Sequence, residues 1–250
     1  MRGGIVVIAA SIAITIIAPG RAAHAGRTFY GWLQGTEVMP ERGAEINTFV
    51  SEENRVQDEA NQRTTNWWIS PLIGVTDQVE LGLPVQFDWT RADNVAPRTN
   101  FVNFGAELRF RMVTPDPVDK PDFVPLVRVG VKRLVAGTRD LWQPELEVVG
   151  SYETGRVHAI ADLSAYGEVG ADSHHFAVRP GAGVSIEAID DLRIGAEVFG
   201  EISLDDNGGN WAAVGPNLAW SHGRTWISAA YGIGVYKIRD APRINWGIAF

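Results

Sequence analysis

The 250-residue chain has no cysteine. That excludes a disulfide framework, a thiolate nucleophile, a cysteine-based metal site and an acceptor for an N-terminal lipid anchor. A second long apolar run is also missing. Beyond residue 25 no stretch reaches the roughly 18 apolar residues that a membrane-spanning helix requires, and the mean hydropathy is −0.05. Positive charge is scarce too, with 22 Lys and Arg against 30 Asp and Glu. A basic patch for nucleic acid is therefore not on offer.

What is there begins with an export signal. Met1 to Ala25 combine Arg2, an apolar stretch from Ile5 to Ala18, then Pro19, Gly20 and a small-residue end at Ala23-His24-Ala25. This predicts cleavage before Gly26. Cleavage would remove Arg2 and Arg21 and no acid, moving the net charge from −8 to −10.

The mature chain alternates. Val79 to Thr90 places Val79, Leu81, Leu83, Val85, Phe87 and Trp89 on one side of a strand and Glu80, Gly82, Pro84, Gln86, Asp88 and Thr90 on the other. Asn103–Met112 and Leu192–Leu204 repeat the pattern over the ~9–11 residues of a tilted transmembrane strand. Weaker copies lie at about 44–52, 63–75, 123–135, 144–152, 157–169, 176–188, 210–222, 225–237 and 242–250. The expected fold is all-β: a transmembrane antiparallel up-and-down barrel of about 12 strands, with short periplasmic turns and longer external loops. Loops are expected at Glu53–Gln62, Arg91–Thr99, Ala136–Gln143, Gly170–His175, Asp205–Gly209 and Ile238–Ala241. Residues 1–25 form the signal, 26–43 a periplasmic leader and 44–250 the barrel. Outer-membrane localisation in a Gram-negative bacterium, with outer-membrane lipid as a partner, follows from that layout.

Two further features agree. The chain ends on Ile244, Trp246, Ile248 and Phe250 on one strand face, and Phe250 is a candidate signal for the barrel-assembly machinery. Aromatic residues gather near the expected strand ends, at Trp67, Trp68, Trp89, Phe123, Tyr152, Phe176, Trp211, Trp220, Trp226 and Tyr236, where rings favour the headgroup level. A soluble periplasmic barrel or sandwich would alternate as well, but its strands usually run ~5–6 residues. Glycines at 82, 105, 130, 181, 183 and 195 punctuate the polar face, as suits a crowded inner wall. Against the pattern stand Pro71, Pro84, Pro125, Pro180 and Pro216, each lacking a ladder donor inside an expected strand.

The polar face carries Glu80, Asp88, Glu107, Arg109, Arg111, Arg128, Lys132, Glu145, Glu147, Asp162, Glu168, Arg179, Glu187, Arg193, Glu197 and Glu201. Facing lipid, an Arg or Lys near the midplane would cost ~2–4 kcal/mol, so these side chains are expected to line the lumen. They form either an ion-pair lattice or a pore lining.

Enzymatic and metal chemistry find little support. A lipid hydrolase needs a nucleophile and a base together. The candidates Ser173, His174 and His175 share one loop, with His158 and His222 elsewhere, and no orienting acid at a telling spacing. Asp172 with the two loop histidines is a weak metal set. Asp205-Asp206-Asn207-Gly208-Gly209 lacks the alternating ligands and distal Glu of a calcium loop and reads as a turn. No catalytic residue, metal or cofactor is therefore assigned.

Leu33-Gln34-Gly35-Thr36-Glu37-Val38-Met39-Pro40-Glu41-Arg42-Gly43, running into Ala44-Glu45-Ile46-Asn47, resembles the opening of a broad outer-membrane family with a Pro-x-x-Gly step before its first strand. Ile73-Gly74-Val75-Thr76-Asp77-Gln78-Val79-Glu80-Leu81 is similar to a hairpin of the same transporter-like barrels, which are named after the meta-cleavage pathway of phenol degradation. The resemblance implies a barrel and uptake of small organic solutes. The leading functional expectation is a passive channel for small solutes with a mixed-charge lumen. Its rivals are a non-transporting structural or adhesive barrel closed by its ion pairs and, behind both, a lipid hydrolase.

Overall fold

The computed structural model describes residues 28–57, 60–92, 95–113, 122–136, 140–171, 174–205 and 209–250; the expected export signal lies outside them. Every regular element among the described residues is a strand: β1 (Ala44–Gln57), β2 (Ala60–Thr76), β3 (Val79–Gly82), β4 (Val85–Ala92), β5 (Val95–Arg111), β6 (Phe123–Leu134), β7 (Leu141–Thr154), β8 (Val157–Val169), β9 (His174–Ile189), β10 (Leu192–Ser203), β11 (Trp211–His222), β12 (Thr225–Tyr236) and β13 (Ile238–Ala249). They make twelve staves, because β3 and β4 are two halves of one. Both halves pair with β2 and with β5. All neighbours are antiparallel, and β1 closes the sheet on β13 from Glu45↔Ala249 to Ser51↔Arg243 while also pairing with β2. The twelve-strand closed barrel is thus the fold.

The wall is inverted relative to a water-soluble protein. On β7, Leu146 is 49% exposed while its neighbour Glu147 is 3% exposed. Leu108 and Phe110, Val129 and Val131, Ile194 and Val198 likewise face outward, and Glu107, Arg109, Glu197 and Glu201 are buried. Period-two alternation puts one kind of residue on each face. Only lipid outside makes that distribution favourable.

The prolines have a shared solution. Pro180 pairs with Leu163 on β8, but the β9–β10 ladder skips it. Pro216 pairs with Ala196 and is skipped by β12, Pro144 with Val131 and skipped by β8, and Pro242 with Tyr231 and skipped by β1. Each missing N–H thus falls on one ladder only. Pro71 and Pro84 meet at the break between β3 and β4, where Leu83 N donates to Pro71 O and Gly105 N to Pro84 O. Pro125 sits near the start of β6, and its carbonyl accepts Met112 N.

Several strands run further than alternation marks. β1 continues to Gln57, β2 starts at Ala60, and β5 starts at Val95. These extensions carry polar residues such as Glu53, Asn54 and Arg55 on β1 and Arg98 and Thr99 on β5, so no apolar face marks them, yet their backbones pair. The barrel therefore has a turn end, where β1 begins and β13 stops, and a loop end formed by these polar extensions.

Not every expected girdle aromatic faces out. Trp67, Trp89, Phe123, Tyr152, Phe176, Trp220 and Tyr236 do. Trp211 and Trp226 are buried inside, and Trp68 stacks on Phe49 with ring centroids 5.2 Å apart. Adjacent Trp67 and Trp68 cannot share a face, so alternation turns one of them inward.

Candidate functional site

The interior of the barrel is occupied by its own chain. Residues 28–43 precede β1 and lie within the turn-end half, where Tyr30, Leu33 and Met39 are buried. Their main-chain groups find partners on the wall. The Glu197 carboxylate of β10 accepts Gly31 N at 3.0 Å, Trp32 N at 3.1 Å and Leu33 N at 3.3 Å. Asp162 of β8 accepts Gln34 N at 3.2 Å, and Glu80 of β3 accepts Met39 N at 2.8 Å. Asn245 Nδ2 donates to Gly31 O at 2.7 Å, Ser228 Oγ to Tyr30 O at 2.8 Å, and Arg109 to Gly35 O. A segment without strand pairing must satisfy its backbone somehow. Acids and amides of the wall do it here.

Side chains complete the seat. Tyr30 OH donates to His158 O at 3.0 Å, and burial pushes this phenol up to about 12, so it stays a donor at neutral pH. Thr36 and Ser151 share a hydroxyl contact of 2.7 Å, and Arg111 pairs with Glu37 at 3.0 Å. Trp32 stacks on Phe199 at 4.7 Å and donates its indole N–H to Ala241 O at 2.9 Å. Two of the polar-face glycines now have a reason. A Cβ on Gly183 would strike the Tyr30 ring, and one on Gly181 would strike Leu33.

Above this segment a cavity of about 820 Å³ reaches the loop end, its floor made by Trp32, Leu33 and Gln34. Arg128 binds three acids on its wall: Glu107 at 2.8 Å, Glu145 at 3.3 Å and Glu147 at 2.6 Å, with Lys132 2.8 Å from Glu145. Across from it Glu201 takes Arg179 at 2.8 Å, Arg55 at 3.5 Å and Tyr166 OH at 3.0 Å. Asp88 accepts Asn100 Nδ2 at 2.8 Å, and Glu168 lines the same cavity. Arg109 lies 3.6 Å from Glu80 and also lines the cavity. Arg193 pairs with Glu153, and with Glu187 at 3.8 Å, near the turn end. Phe250 is outside this interior; its N–H donates to Ala44 O at 2.8 Å.

Alternation misses other residues of the cavity. Glu53 and Arg55 fall in a segment that reads as loop, although they pair with each other at 2.8 Å. Arg243 opens the last expected strand, and its parity with Asn245 already places it inward. The leader is hardest to foresee, yet Phe29, Tyr30, Trp32 and Leu33 are an unusually apolar group for a segment in water.

The histidines disperse. His175 Nδ1 lies 2.7 Å from Asp205, which also accepts Ser203 Oγ at 2.9 Å and Phe176 N at 3.0 Å. His175 thus has an acid partner 30 residues away. Ser203 spends its proton on that acid rather than facing the imidazole, which makes a loop staple. His222 pairs with Asp191 at 2.8 Å at the turn end, and His158 serves Tyr30. Asp172, Ser173 and residues 206–208 lie outside the described residues.

Neither a family model nor a curated relative matches the sequence. The fold does have matches. An outer-membrane channel from Pseudomonas putida F1 aligns with 86% of this chain and 98% of its own at 8% identity and a TM-score of 0.63. The translocator domain of the autotransporter NalP from Neisseria meningitidis aligns with 83% and 88% at 11% identity and 0.51, and the beta domain of the Bordetella autotransporter BrkA with 83% and 99% at 10% identity and 0.50. The chain has the fold of the outer-membrane β-barrels.

Proposed function

We infer that this chain, an outer-membrane β-barrel by fold, is a channel for small solutes whose turn end is closed by its own residues 28–43. One observation carries the reading. The charged cavity ends on the leader and not on the wall, and the leader's main-chain groups are held by hydrogen bonds that water or a solute can replace. A barrel built only to be solid has no need of such a cavity. Likeness in fold to the Pseudomonas putida F1 channel supports the same reading. In it, residues 1–25 are the cleaved signal, the turn end and leader face the periplasm, Phe250 marks the chain for barrel assembly, and the inward charges line the path.

A passive channel with a displaceable plug conducts in proportion to the time the plug is out. The experiment is planar-bilayer conductance of the mature chain beside a form lacking residues 26–43. Conductance that rises severalfold on deletion is expected. If neither form passes current, the barrel is a closed structural one. That second reading draws on the triple clasp of Arg128 by Glu107, Glu145 and Glu147.

A further inference from the structure

Arg243 stands apart from the other cations within the cavity wall, Arg98 being exposed at its rim and Arg109 pairing with Glu80. Arg55, Arg128, Lys132 and Arg179 each lie against a carboxylate. Among the described residues Arg243 has no carboxylate at ion-pair distance. Its guanidinium carbon rests 3.7 Å from the centroid of the Phe49 ring on β1 and 5.1 Å from that of Trp32 on the leader. Of the five N–H donors of an arginine, Nε–H is taken by Asn245 Oδ1 at 2.9 Å. The two Nη groups have no protein acceptor among the described residues and are not sealed off, since the side chain lines the cavity. A guanidinium held against rings, with its fork turned to the cavity, is placed to take an acceptor that enters there.

We propose that Arg243 is the binding site for a small organic monocarboxylate entering the cavity from the loop end. Two Nη groups in a fixed fork match one carboxylate in bidentate geometry. The body of the acid meets rings: Phe49 with Trp68 stacked on it, and Trp32 with Phe199 stacked on it. With Arg243 and the stacked partners on their faces, these rings turn their remaining edges to the cavity, and that apolar lining favours an apolar body. The acids around the same cavity, among them Glu53 and Glu201, oppose an anion of higher charge. Resting on the channel reading for its role in transport, the site names the class of solute the channel takes.

Binding is measured apart from conduction. The probe is 4-fluorobenzoate, followed by fluorine NMR line broadening with the full mature chain in detergent, beside its neutral isostere 4-fluorobenzamide. The acid is expected to bind, the amide at least about tenfold more weakly, and Arg243→Gln to weaken the acid by a similar factor while leaving the amide unchanged; tenfold corresponds to about 1.4 kcal/mol. Equal binding of acid and amide by the unaltered chain overturns the proposal without recourse to any variant. So does acid binding that Arg243→Gln leaves intact, which would pass the role to another cation. Binding as expected in a protein that never conducts would keep the site and remove the channel.

Discussion

The carboxylate of Glu197 accepts the backbone N–H of Trp32 at 3.1 Å, joining a residue of β10 to one 165 positions earlier that lies in no strand. The same carboxylate takes Gly31 N and Leu33 N. Three successive donors on one side chain make it the principal clasp of the leader. Glu197→Ala leaves those donors without a protein partner, and each unsatisfied buried donor costs about 1–3 kcal/mol, less where water enters. The absence of native cysteine allows a clean readout. With Gln34→Cys in both backgrounds, Glu197→Ala should raise the rate of maleimide labelling at least about tenfold, the equivalent of about 1.4 kcal/mol. An unchanged rate would place the hold on the leader elsewhere.

Arg128 predicts a different loss. It lies against Glu107, Glu145 and Glu147 at once, and all three are buried. Arg128→Ala leaves Glu107 and Glu147 without this cation while Glu145 keeps Lys132, and removing one partner of a buried pair costs about 3–5 kcal/mol. The barrel should unfold at a clearly lower temperature, read as the point where the folded band disappears on a denaturing gel. Arg133, whose Asp140 partner is exposed at the loop end, gives the comparison: Arg133→Ala should change stability by no more than about 1 kcal/mol. Equal effects from the two would contradict the lattice.

The outer face predicts a dependence on depth. Leu146 lies midway along β7, with Val235 near the loop end of β12. An arginine facing lipid costs about 2–4 kcal/mol at the midplane and about 0–1 kcal/mol near the interface. Leu146→Arg should therefore depress folding into lipid vesicles strongly and Val235→Arg little, measured as the urea midpoint of each. If both behave alike, the apolar band is not a lipid-facing one.

Much of this architecture can be read in the residues because a strand has a period of two. Val79–Trp89 and Phe104–Met112 declare an outer face, and Glu107, Arg109 and Arg111 follow inward by parity. The same rule fails where both faces are polar. Glu53 and Arg55 look like loop, yet they stand on a paired strand and line the cavity. Parity also says nothing of what fills the interior. The seating of Tyr30 against Gly183 and of Trp32 against Phe199 joins residues more than 150 positions apart. Such contacts have no local period to betray them, and only the small residues left on the inner wall hint that something is received there.

The plug itself can be locked. Thr36 on the leader and Ser151 on β7 bring their hydroxyl oxygens within 2.7 Å, so cysteines in both places put their sulfurs near the ~2.05 Å of a disulfide with little movement. Thr36→Cys with Ser151→Cys introduces the sole pair in a cysteine-free chain. Oxidation should form the bond in high yield and fix the leader in its seat. If the leader gates the lumen, the oxidised protein should conduct less than its own reduced form, and a reductant should restore the current in the same bilayer. Either single cysteine should show no redox response. A current indifferent to the bond would mean that solute passes around residues 28–43, and that the seated leader is a structural part of the barrel and not its gate.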